Sequence, residues 1–153
     1  MAKTGGEGGG DLAEKFHGQL AEMEAGIKPP VLYVGNLNAQ RDWSDVRDVV
    51  RAYWLAVNHC EPGEAYVIAS GVSRLIKEML DLLLSFSPTK ITISVDPQRL
   101  RPSDVQILRG DASKFKQATG WSAKYSFEQT MLDLLNYWRE RLGVSQKTSP
   151  VRT

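Results

Sequence analysis

The residues of this chain best placed to do chemistry are arginines at the ends of apolar runs. Arg41 stands where an irregular segment gives way to a helical pattern, and Arg99 and Arg101 lie two apart between Pro97 and Pro102. A residue before proline is pushed out of the helical region, so that stretch reads as extended. Residues two apart on an extended chain project to the same side. The guanidinium fork matches phosphate oxygens bidentately, so such a set suits clamping a diphosphate. With Asp42, Asp45 and Asp96 close by in sequence, the same arginines also read as solvated or ion-paired surface groups, and spacing alone favours that plainer reading. Asp104 has a local role available inside Ser103-Asp104-Val105-Gln106, which has the form of a helix capping box.

Other chemistries are excluded by inspection. The chain has no Gly-x-Gly-x-x-Gly or Gly-x-x-Gly-x-x-Gly loop and no Gly-Lys-Ser/Thr, and no tyrosine is followed four positions later by lysine. The early glycines also lack the preceding strand that would aim a helix N-terminus at phosphate. His17, His59 and Cys60 are the only soft metal ligands. Adjacent residues rarely converge on one metal, so His59 and Cys60 read as a helix-end histidine and a half-buried thiol. One cysteine allows no internal disulfide and fits a reducing compartment. Nineteen Lys+Arg against eighteen Asp+Glu give a net charge of +1 in 153 residues, which argues against a nucleic-acid partner. No apolar run approaches the length of a membrane span, and the N-terminus shows no secretory signal, so a cytoplasmic location is expected.

The elements that must carry these groups follow from periodicity. Residues 1–10 are a glycine-rich flexible lead-in, 11–143 the folded part and 144–153 a frayed tail. Leu12, Phe16, Leu20 and Met23 mark a first helix capped by Asp11. Val31–Val34 is a short strand. Val46, Val49, Val50, Tyr53, Trp54 and Val57 fall on one helical face, with Ser44 or Asp45 as cap. After the turn at Pro62-Gly63, the apolar run Ala65–Ala69 reads as a strand covered on both faces. Ser70-Gly71 then opens a helix through Leu84, broad enough in its apolar surface to be buried on two sides. Ile91–Val95 is another strand. A short helix runs from about Ala112 to Thr119, capped by Asp111 and ended by Gly120. The last helix starts at the capping box Ser126–Gln129 and carries Phe127, Met131, Leu134, Leu135, Trp138 and Leu142.

Several segments together resemble a known family. They are Val31-Leu32-Tyr33-Val34-Gly35-Asn36-Leu37, Arg41-Asp42-Trp43-Ser44-Asp45-Val46-Arg47-Asp48 onward to Trp54, Val95 through Val105, Leu108 through Trp121, and Leu132 to Arg141. The chain is similar, from about Asp11 to Leu142, to the C-terminal half of extended short-chain dehydrogenase/reductases acting on GDP-sugars. The types resembled are the GDP-mannose 4,6-dehydratases and the GDP-4-keto-6-deoxymannose reductases. Asp45-Val46-Arg47-Asp48 looks more like the reductase branch. The resemblance implies an α/β fold: the substrate-binding part of such an enzyme, with the last strand and helices of the Rossmann sheet but without its N-terminal cofactor-binding half.

It also implies roles. Arg41 and Arg101 match the family's arginines on the nucleotide diphosphate, Asp104 the acidic position near the ribose hydroxyls, and Asn36 the strand end lining the guanine pocket. NADP is the family's cofactor, but its glycine loop and Tyr-x-x-x-Lys machinery are not in this sequence, so the chain alone is expected to bind no cofactor and turn nothing over. Two further departures stand out. The family's Tyr-Asn-Val-Cys-Ser-Gly-Lys reads Tyr66-Val67-Ile68-Ala69-Ser70-Gly71-Val72 here, and Leu75 replaces its serine cap. The expected function is the GDP-sugar-binding portion of a dehydratase or reductase. The alternative is a non-enzymatic interaction module, a degenerate relic that docks on a full-length partner. Without the first half, Val49, Tyr53, Trp54, Ile68, Leu75 and Leu82 should lack partners, and the chain should self-associate or pair with an N-terminal half.

Overall fold

The computed structural model describes residues 9–99 and 105–144, with the side chains of 9–13 and of Arg99 outside the description. Its elements are helix α1 (Gly9–Glu24), strand β1 (Val31–Val34), strand β2 (Gln40–Asp42) and helix α2 (Val46–His59), then strand β3 (Ser73–Leu75), helix α3 (Ile76–Ser85) and strand β4 (Thr92–Val95). Helices α4 (Ser113–Thr119) and α5 (Phe127–Arg141) complete it, with one 3-10 turn at Pro97–Arg99. That turn replaces the extended stretch expected after Pro97, and α1 begins two residues ahead of Asp11.

β1 pairs with β4 in parallel, Val31 opposite Thr92 and Val34 opposite Val95. Period-2 alternation decides which side is covered. Leu32 and Val34 are buried, and Tyr33 is exposed. The buried side joins Phe16, Leu20 and Met23 of α1, Ile76, Met79, Leu80 and Leu83 of α3, and Met131 and Leu135 of α5 in one core. The Trp138 ring packs over Gly18 of α1, at ordinary contact distance from where a Cβ would stand. A smaller cluster of Ala52, Phe115 and Trp121 holds α2 to α4, with Tyr66 and Phe115 meeting edge to face.

Helix ends follow the sequence closely. Asp45 caps α2 by accepting from Arg47 N–H, Ser126 caps α5 by accepting from Gln129 N–H, and Gly120 ends α4 in the left-handed region at φ 68°. α4 starts at Ser113 with Ala112, not Asp111, at the cap position, although Asp111 Oδ1 still accepts from Ser113 N–H at 2.9 Å. α3 also departs, because Leu75 offers no side-chain acceptor. Its first amides are satisfied instead by backbone: Ile76 N–H donates to Ala39 O and Lys77 N–H to Leu37 O, each at 3.0 Å.

Two expectations change. The run Ala65–Ala69 has no ladder partner among the described residues and is not a strand. A strand exists through pairing, and here the run meets Gly110 by a close approach only: a Cβ on Gly110 would lie 2.3 Å from that of Ala69, so the contact needs glycine. The residues after Gly71 do not open a helix. Gly71 sits at φ 84°, and Ser73–Leu75 forms an antiparallel ribbon with β2, Gln40 opposite Leu75, Arg41 opposite Arg74 and Asp42 opposite Ser73.

α2 is turned against its own pattern. Val49 and Ala52 face inward, while Val46, Val50, Tyr53, Trp54 and Val57 are exposed, Trp54 by 71% and Val57 by 85%. Of the other residues expected to lack partners, Ile68, Leu75 and Leu82 are partly covered.

Candidate functional site

The site expected from the sequence is built on β2. Arg41 is therefore a strand residue, not a junction residue before a helix. Its Nη1 donates to Gln40 O at 2.7 Å and to Val105 O at 3.0 Å. Residues 106–108 run along the outer edge of β2: Gln40 N–H donates to Gln106 O, Leu108 N–H donates to Gln40 O, and Gln40 bridges to Ile107. Arg41 thus touches the residue that directly follows Asp104. Arg101 and Asp104 themselves lie outside the described residues, and Arg99 is placed only by its backbone. Asn36 stands two residues past the end of β1, where its Oδ1 accepts from Asn38 N–H at 2.9 Å.

Behind Arg41 the ribbon is locked by a residue that sequence reasoning took for a surface ion-pair partner. Asp42 is only 4% exposed. Its carboxylate accepts from Ser70 N–H at 3.0 Å, Ser70 Oγ–H at 2.5 Å, Gly71 N–H at 2.9 Å and Gly110 N–H at 3.1 Å. A carboxylate has about four lone-pair sites, and each is used here. The 70–71 turn and the 110 turn are tied to one side chain, which fixes both neighbours of β2.

Two more buried aspartates continue the spacing. Asp45 Oδ1 and Oδ2 accept from Arg47 Nε and Nη2 at 2.9 and 2.7 Å, and Oδ2 also accepts from Thr130 Oγ1, joining α2 to α5. Burial alone would raise the Asp45 carboxyl, but the Arg47 and Thr130 hydrogen bonds outweigh it and hold it below its ordinary range. Asp48 accepts from Arg51 Nη2 at 2.6 Å and from the Lys124 and Tyr125 amides, pinning the 121–125 connection. The signal available in the sequence was aspartate at 42, 45 and 48, three apart, within an apolar helical pattern.

Among the described residues no group of three His, Cys, Asp or Glu could hold a metal, and no helix is long and apolar enough to cross a membrane. The chemistry on offer at β2 is cationic hydrogen-bond donation from Arg41, with the Ser70 hydroxyl and the Asp42 carboxylate hydrogen-bonded to each other behind it.

Comparison with known proteins bears on what that ribbon is for. A family model described as GDP-mannose 4,6 dehydratase matches residues 9–134. A GDP-6-deoxy-D-mannose reductase of Pseudomonas aeruginosa is 32% identical over 124 residues, which are 81% of this chain and 41% of that protein. The GDP-mannose 4,6 dehydratase 1 of Arabidopsis thaliana is 34% identical over 120 residues, 77% of this chain and 33% of its own length. The solved structure of RMD from Pseudomonas aeruginosa complexed with NADPH superposes with a TM-score of 0.80 at 29% identity, covering 89% of this chain and 44% of that one. The chain thus spans about two fifths of the length of the relatives it matches.

Proposed function

Because the chain belongs to the GDP-mannose 4,6-dehydratase family, we propose that it is the GDP-sugar-binding portion of a dehydratase or reductase of this kind, with Arg41 and Arg101 on the diphosphate, Asp104 on the ribose and Asn36 toward the base. One observation supports this reading above the others. The Arg41 guanidinium donates to Val105 O at 3.0 Å across 64 residues of sequence, and Val105 is the residue that follows Asp104 in the chain. A guanidinium held on a ribbon edge suits one end of a diphosphate, and Arg101 would supply the second cation. The relatives include a structure complexed with NADPH. The chain carries neither the glycine loop nor the Tyr-x-x-x-Lys pair, so it holds no NADP and performs no turnover by itself.

The test is a titration of the 153-residue chain with GDP and with GDP-mannose. Charge-assisted hydrogen bonds contribute about 1.5–3 kcal/mol each, so two arginines supply roughly 3–6 kcal/mol before ordering costs. That corresponds to a Kd in the millimolar to tens-of-micromolar range. Equal affinity for wild type and the Arg41→Ala/Arg101→Ala variant removes the clamp from consideration.

The exposed side of α2 supports a second element of the proposal, a docking face for the remaining part of the family fold. Tyr53 and Trp54 are 61% and 71% exposed. At about 200 Å² per aromatic side chain, covering the pair removes roughly 250 Å² from water. At about 25 cal/mol/Å² this is worth about 6 kcal/mol before the costs of association. Left uncovered, that face should make the chain self-associate. Sedimentation velocity should show a concentration-dependent species that Val50→Lys/Trp54→Lys abolishes without lowering Tm, since both positions face solvent. A strict monomer at every concentration contradicts this.

A further inference from the structure

A cavity of about 190 Å³ opens between the β2–β3 ribbon and the start of α5, bordered by Trp43, Ser44, Ser70, Arg74, Tyr125 and Phe127. Arg74 is its cation. The guanidinium lies 4.8 Å over the Phe127 ring, half-buried, with no hydrogen bond or ion pair to any described residue. A guanidinium has five N–H donors, and leaving them unpaired away from bulk water is costly. The Trp43 indole on the same wall has a buried Nε1–H that also meets no acceptor. That nitrogen is sealed from solvent, so the polar groups bordering the hollow are the Arg74 guanidinium and the Ser44 hydroxyl.

The charges around this cavity favour an anion. Asp45 and Asp48 also border it, but Asp45 is paired with Arg47 at 2.7 Å and Asp48 with Arg51 at 2.6 Å. The Arg74 charge is therefore the uncompensated one in the wall. Glu128, exposed on the first turn of α5, feels that charge without forming an ion pair: its carboxyl is held low first by its own backbone N–H and also by Arg74. Register adds to the case. Arg74 stands directly across the ribbon from Arg41. Like charges facing each other on adjacent strands are destabilising, and here the two guanidinium groups part, Arg41 toward Val105 and Arg74 toward Phe127, which leaves Arg74 to the cavity alone.

The geometry points to a second binding site in this cavity, one that takes a phosphoryl oxyanion with Arg74 and the Ser44 hydroxyl as its donors. Drug-sized pockets occupy roughly 300–1,000 Å³, so this occupant is small: a short phosphate monoester or inorganic phosphate itself. Aromatic walls from Tyr125 and Phe127 suit the carbon body of an ester.

The experiment titrates the 153-residue chain at low salt with glycerol 3-phosphate, inorganic phosphate and glycerol, following the Trp43 indole N–H resonance. Saturable binding of glycerol 3-phosphate with a shift of that resonance is expected, and none for glycerol. Arg74→Gln should weaken it at least about tenfold, and Arg74→Lys should weaken it less because the charge remains. Arg41→Ala should leave it unchanged while reducing GDP affinity, so failure of the diphosphate clamp and failure of this site read out separately. Phosphate binding as tightly as the ester identifies the free ion as the occupant; weaker phosphate binding identifies the ester. Unchanged affinity in a folded Arg74→Gln chain, loss of binding with Arg41→Ala, or absence of saturation overturns the proposal.

Discussion

Replacing Asp42 with asparagine should destabilise the chain by about 3–6 kcal/mol, because four donors converge on its carboxylate and an amide can accept from at most half of them. The amide also turns two donors of its own toward the Ser70, Gly71 and Gly110 amides. Domains of this kind have about 5–15 kcal/mol in total, so the variant would sit near the limit of folding. At roughly 2–4 °C per kcal/mol for a chain of this size, Tm should fall by on the order of 10–20 °C. Amide exchange provides the local reading: Gly71 and Gly110 should lose protection before the α1–α5 core does. The clamp would suffer as well, since the Arg41 strand depends on the two turns that Asp42 ties down. A loss below about 1 kcal/mol would show that solvent reaches this carboxylate and that the tie is dispensable.

The second large effect lies on the other side of the molecule. Arg139 of α5 donates from Nε to Glu24 Oε2 at 2.7 Å and from Nη2 to Glu24 Oε1 at 2.8 Å, a bidentate pair between the last turns of α5 and α1. The same guanidinium reaches Phe86 O and Asn136 Oδ1, each at 3.0 Å. The Glu24 side chain is 3% exposed and that of Arg139 10%. Arg139→Met leaves a carboxylate buried without its cation, a loss of about 3–5 kcal/mol. Glu24→Met/Arg139→Met removes both charges and should recover most of that loss. Urea unfolding of the two singles and the double forms a complete cycle. If the double variant is as unstable as the single, the pair itself, and not the orphaned charge, is what the helices need.

The parts legible in the sequence were those decided within a few residues. Ser126 and Gln129 announced the start of α5, Gly120 the end of α4, and the spacing from Val46 to Val57 the extent of α2, because caps and helical periodicity are local. The β2–β3 ribbon was not legible. Three-residue strands carrying Gln, Arg, Asp and Ser show too little alternation to stand out, and the pairing depends on a turn whose shape comes from Gly71. Ala65–Ala69 failed for the opposite reason: its strand-like composition is real, but its ladder partner is not among the described residues. The candidate site was half legible. Arginine chemistry and the family resemblance pointed to Arg41, whereas the role of Asp42 rests on donors 28, 29 and 68 positions away. No local pattern distinguishes a carboxylate buried in this way from one in solvent.

The parallel pairing of β1 with β4 also governs how this molecule comes into being. Val31 meets Thr92 across an interval of 61 residues, and α1 packs on α5, more than a hundred residues further along the chain. Closing such long loops must precede any return from the contacts they bring, so acquisition of the core should be slow and late. Helix formation within α2 takes on the order of a microsecond or less and needs none of this. A chain emerging from the ribosome would therefore display Tyr53 and Trp54 on a helix that forms and melts rapidly, well before α5 arrives to complete the core around α1. Its period of greatest vulnerability to aggregation falls during synthesis, and a helper that shields α2 in that interval would raise yield without changing the stability of the finished fold.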